Sequence, residues 1–102
     1  MSTQPKMYVL VRRDLDPMYR GVQGAHALSS YALQYPDEFR DWGNSDLIFL
    51  GVRFQREIKQ WHEKLERRCI NHSVFTEPDQ EGHMTAIACL DAGGLFKALP
   101  TA

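Results

Sequence analysis

Gly21-Val22-Gln23-Gly24-Ala25-His26-Ala27 is the stretch on which the fold turns. It opens a helix that is expected to run to about Gln34, where Tyr35-Pro36 stops it. Val22, Ala25, Leu28 and Ala32 recur at helical spacing along it. Most helices present Leu or Ile to a sheet. One that offers Gly24, Ala25 and Ala27 lets the two backbones come close. It also carries Gln23 and His26 one turn apart, so two polar side chains are presented beside a tightly packed contact.

Around that helix the chain alternates strand and helix patterns. Met7–Val11 is a short apolar run, closed by Arg12-Arg13-Asp14, and suits a strand buried on both faces. Asp14-Leu15-Asp16-Pro17 is expected to be a turn. One more helical turn is expected over Asp37–Trp42, ended by Gly43-Asn44. Leu47–Val52 is the second strand. Phe54, Ile58, Trp61, Leu65 and Cys69 then recur at i, i+4, i+7, i+11 and i+15, a strongly amphipathic helix. His72–Thr76 and Met84–Leu90 are the third and fourth strands, separated by Glu77-Pro78-Asp79 and a loop through Gly82. The tail from Asp91 to Ala102 holds Gly93-Gly94 and a short apolar piece, Leu95-Phe96. This order predicts a three-layer α/β domain: a mixed, mainly parallel four-stranded sheet with helices on both faces.

Composition bounds the classes. A chain of 102 residues makes one domain, with residues 1–5 expected to be disordered. No apolar run approaches the roughly 20 residues of a membrane span, and the N-terminal segment lacks the apolar core of a signal peptide. Two cysteines make no disulfide framework, so a reduced cytoplasmic protein is expected. The net charge of −1 excludes a broadly basic nucleic-acid binder. Yet segments 1–35 and 51–70 carry +2 and +3, while 36–50 and 71–102 carry −3 each. Should the positive segments share a face, a local phosphate-binding patch survives the neutral total.

In such sheets ligands bind beyond the carboxyl ends of the strands. That rule brings Arg12-Arg13-Asp14, the first helix and Glu77-Pro78-Asp79 toward one mouth. With these pieces in order, the chain resembles the archaeal/eukaryotic-type peptidyl-tRNA hydrolases. The matching residues are Val9-Leu10-Val11-Arg12-Arg13-Asp14-Leu15, then Gln23-Gly24-Ala25-His26-Ala27, where the family has Gln, two residues and His-Ala. Glu77 stands for the carboxylate ending the third strand; Thr85-Ala86-Ile87-Ala88 and Gly94-Leu95-Phe96-Lys97 fit the closing segments. The resemblance implies hydrolysis of the ester between a peptide and tRNA by a protein that is usually a homodimer. It implies no cofactor. The chain departs from the family at two places. Met18-Tyr19-Arg20-Gly21 replaces a Gly-Lys-Gly-Lys run that includes the usual catalytic lysine, and Glu77–Gly82 replaces an Asp-Ala-Gly-Arg-Thr loop.

Ester hydrolysis needs a placed water, a group that takes its proton and donors for the oxyanion. His26 is the candidate base, since an imidazole titrates near neutrality; otherwise it is a helix-start histidine bonded to a loop. Gln23 suits orientation of water or carbonyl through its amide. Glu77 or Asp79 would orient His26 or act as base, and either is also at home in a plain acidic turn. Thr85 would hydrogen-bond substrate, or simply favour a strand. Arg12, Arg13 and Arg20 are candidates for phosphate contact, because a guanidinium pairs with two oxygens at once. Asp14 is a turn former or part of the mouth.

Three other patterns are read from the sequence as structural. Cys69 and His72 have no second pair at zinc-ligand spacing, so no metal site is expected. Gly93-Gly94 lacks a phosphate-loop lysine, and Ser29-Ser30 lacks a nucleophile elbow. The alternatives to an ester hydrolase are a tRNA-binding module without turnover and a protein-interaction domain.

Overall fold

Asp16 and Pro17 start a helix where a turn was expected. The Asp16 carboxylate accepts from the Met18 backbone N–H at 3.2 Å, and Pro17 fills the first helical position. The computed structural model describes residues 4–78, 82–91 and 93–102; residues 1–3 of the segment expected to be disordered lie outside them. The elements are β1 (Lys6–Arg12), α1 (Pro17–Gln34), α2 (Pro36–Trp42), β2 (Leu47–Val52), α3 (Gln55–Arg67), β3 (Ser73–Glu77) and β4 (His83–Asp91). Gly21–Ala27 therefore lies inside α1 and does not open it.

The four strands form one mixed sheet in the order β2-β1-β4-β3. β1 and β2 pair parallel, with Val9 beside Phe49. β4 pairs antiparallel with both β1 and β3. The sheet is thus mostly antiparallel, against the expectation of a mainly parallel one. The reason lies in one strand. β1, β2 and β3 all run the same way, but β4 turns back from β3 and inserts between it and β1.

Alternation along β1 divides the core in two. Met7, Val9 and Val11 join Ala27, Tyr31 and Trp42 from α1 and α2. Leu10 joins Ile58 and Leu65 from α3, with Ile87 and Phe96. Crossovers of one hand explain the division, because β1→β2 and β2→β3 step in opposite directions across the sheet. Of the spaced residues expected to seat α3, Ile58 and Leu65 are fully buried, each worth about 1.5–3 kcal/mol. Phe54 is half exposed, and Cys69 lies past the helix end.

The tail closes an edge. Gly51 N–H donates to the Pro100 carbonyl at 2.8 Å, and Leu50 bridges Thr101, so the last residues cover the outer side of β2. Phe96 anchors this tail between Tyr8 and Trp61.

Candidate functional site

α1 sits unusually close to the sheet at Gly24. A Cβ there would run into the Phe49 ring and stand 3.0 Å from Val9 Cγ1. This approach presses the preceding residue, Gln23, wholly out of solvent. A buried amide must be satisfied, and it is. Its Nε2 donates to Glu77 Oε2 at 3.0 Å, and its Oε1 accepts from Thr85 Oγ1 at 2.6 Å. The amide orientation follows from its partners: a carboxylate only accepts, so the NH₂ group faces Glu77.

Thr85 reaches Gln23 because β4 is irregular there. Phe75 pairs with Ala86, but Thr76 pairs with Met84, which leaves Thr85 as an extra residue. Met84 and Ile87 pack on the α3 side, whereas Ala86 packs toward α1. The bulge turns Thr85 onto the α1 side beside Ala86, where its hydroxyl meets Gln23. No glycine marks the place, so nothing in the sequence announces the bulge.

His26 lies one turn beyond Gln23 and is exposed. Its ring stacks on Phe75, with centroids 4.4 Å apart and planes within 9°. Phe75 and Glu77, two residues apart on β3, thus face successive polar positions of α1. Phe75 was not among the expected site residues, although its i, i+2 relation to Glu77 puts it on the same side. Glu77 belongs to β3 and not to a turn after it. Asp79 lies outside the described residues.

The basic candidates divide. Arg12 is buried and spends its guanidinium on Asp14, with Nε to Oδ1 at 3.0 Å and Nη2 to Oδ2 at 2.7 Å. The hydrogen bond from Arg12 holds the Asp14 carboxyl below the usual carboxylate range. Arg12 Nη1 is buried with no hydrogen-bond partner among the described residues. Arg20 donates to the carbonyls of Leu15 at 2.8 Å and Arg13 at 2.7 Å, and so ties down the loop that leads into α1. Arg12 and Arg20 are thus engaged within the fold. Arg13 is exposed and lines a shallow groove with Asp14, Arg53 and Phe54. The two positive segments of the chain meet at this groove.

Both groups stand at the end of the sheet where β1, β2 and β3 finish. The arrangement can hold a carboxylate in one orientation from behind, expose an imidazole on the adjoining turn and offer two guanidinium groups and an aromatic ring nearby.

No protein-family model and no curated protein matches the sequence. Among solved structures, the chain is similar to a protein of unknown function from Agrobacterium tumefaciens strain C58. The TM-score is 0.72 at 14% identity, covering 97% of this chain and 98% of that one. The likeness is one of fold. Among the described residues, no helix is long and apolar enough to cross a membrane.

Proposed function

We propose that the protein is a hydrolase of the ester joining a peptide or aminoacyl group to tRNA, working in the cytoplasm as a homodimer. One observation carries the reading: the hydrogen-bonded chain from Thr85 through Gln23 to Glu77, which ends beside the turn that exposes His26. Gln23 and Thr85 are positioning residues here, since they reach the chemistry only through Glu77. Glu77 orients the attacking water, and His26 takes its proton. As the water oxygen bonds to the acyl carbon, the bond to the ribose oxygen of the tRNA breaks. The proton held by His26 passes to that leaving oxygen. Arg13 and Arg53 hold the phosphates near the acylated end, and Phe54 offers a face on which a base can stack.

The test is release of the acyl group from N-blocked aminoacyl-tRNA by the purified chain. A general base is worth about 10²–10⁴ in rate, and His26→Ala is expected to cost that much. No release, or release unchanged in His26→Ala, refutes the catalytic reading.

A second reading has its own support. Both ends of the Gln23 amide are satisfied within the fold, as they would be in a tRNA-binding module without turnover. That module predicts binding without release, weakening steeply with salt and weakened further in Arg13→Ala.

A further inference from the structure

At the opposite end of β3 stands a second polar cluster that the hydrolase reading does not use. We infer that His62, Glu66 and His72 form a binding site for a zinc-type divalent ion. The ligand atoms of the three residues all lie within 4.8 Å of one another. His62 and Glu66 are one turn apart on α3, so their side chains share a face. The chain then reverses through a helix-ending motif with Cys69 in the left-handed conformation, φ 55°. Cys69 N–H donates to Glu66 O and Ile70 N–H to Leu65 O, both at 3.0 Å. That reversal carries His72 back over the last turn of α3.

His72 arrives already oriented. Its Nδ1 lies 2.8 Å from the Ile70 carbonyl, which can only accept, so Nδ1 carries the proton and Nε2 keeps its lone pair. A histidine whose other nitrogen is fixed by a carbonyl is the usual support for metal ligation. Nε2 points at His62 Nδ1, 2.8 Å away, and lies 3.7 Å from Glu66 Oε1. Zinc–nitrogen bonds of about 2.0–2.1 Å at tetrahedral angles separate two donors by roughly 3.4 Å. The pair of imidazoles must open by about half an ångström, while the Glu66 carboxylate must close by about 0.3 Å on His72 and by up to about 1.4 Å on His62. His72 is buried and fixed, whereas His62 is half exposed and Glu66 is exposed, so the two residues on α3 can make the adjustment. The proton that His62 Nδ1 shares with His72 moves to its own Nε2, and no net charge need be released.

Two imidazoles and a carboxylate are a borderline nitrogen–oxygen set that suits Zn²⁺, with a fourth position left for water. Cys69 is close in sequence, yet it serves the chain reversal, and its thiol is not part of the set.

The experiment titrates the full chain with Zn²⁺ by calorimetry after dialysis against chelator, and with Co²⁺ by visible absorption. The expected result is one ion per chain, with a four-coordinate Co²⁺ spectrum that lacks thiolate charge transfer. His62→Ala and Glu66→Gln, both on the solvent side of α3, are each expected to weaken binding at least tenfold. Near-ultraviolet circular dichroism checks that each variant remains folded. Cys69→Ser is expected to bind like the parent. The proposal is overturned by absent binding, by undiminished binding in either α3 variant, or by loss in Cys69→Ser.

Discussion

α1 and α3 pack into different core clusters against one sheet, by different physical means. α3 is seated by two large aliphatic side chains, Ile58 and Leu65, both withdrawn from solvent. α1 puts Gln23, Gly24, Ala27 and Tyr31 against the sheet, one large aromatic ring beside small and polar groups. Aliphatic burial is forgiving in detail, because it depends on area and has no direction. The α1 contact depends on closeness and on pairing, as Gly24 sets the distance and Thr85 and Glu77 satisfy the buried amide. A helix seated in this way can hold a carboxylate in a fixed orientation. The same design makes it sensitive to changes that α3 would absorb.

The largest effect is expected at Leu65. Leu65→Ala removes a fully buried side chain from the α3 cluster and should cost about 3 kcal/mol, lowering Tm by more than about 10 °C. Urea denaturation measures it; a loss below about 1 kcal/mol would show that the site collapses to fill the void and that α3 is not held by this residue.

A sharper separation comes from one substitution made twice on α1. Alanine favours a helix over glycine by about 1 kcal/mol, and at Gly21, where nothing lies within 4 Å, Gly21→Ala should stabilise by up to that amount. At Gly24 the added methyl meets Phe49 and Val9, and overpacking of this kind costs about 1–3 kcal/mol. Gly24→Ala is therefore expected to destabilise by about 1–2 kcal/mol in spite of propensity. Equal and favourable shifts at both positions would mean that close approach is not what seats α1.

The same contrast decides what was legible in the sequence. Periodicity announced α3, because Ile58 and Leu65 repeat on one stripe, but it overran both ends. Phe54 is the residue before the first turn, and Cys69 is the reversal after the last. β2 was legible to the residue. The start of α1 was not, since Asp16-Pro17 suits a turn and a helix start alike and only the chain beyond decides between them. Pairing in the sheet was hidden because a strand's own residues do not say which neighbour it will have; β4 inserts itself between β1 and β3. Gln23, Glu77 and Thr85 were singled out from the sequence and stand together. The bulge that joins Thr85 to Gln23 was not, and neither was the stack of His26 on Phe75. The fate of Arg12 could have been read, as Asp14 lies two residues on, within reach of the same side of the chain.

The smallest expected effect tests whether the entry into α1 is electrostatic in the way that its seat is polar. Asp14→Asn leaves the buried Arg12 guanidinium without its carboxylate, and Arg20 with one fewer negative charge nearby. Because Asp14 itself is open to solvent, the cost belongs at the low end for such pairs, about 1 kcal/mol at neutral pH. Its pH dependence has a definite sign. The folded-state pKa of Asp14 is depressed, mainly by the hydrogen bond from Arg12, so the pair contributes fully above the unfolded value near 3.8. That contribution disappears as pH falls through the lower folded-state value. The gap between parent and Asp14→Asn should thus be constant from pH 7 to about 5 and close in stronger acid. The Leu65→Ala gap should not close over the same range, since no ionisation underlies it. A gap for Asp14→Asn that persists unchanged below pH 3 would mean that the residue acts through loop geometry and not through its charge.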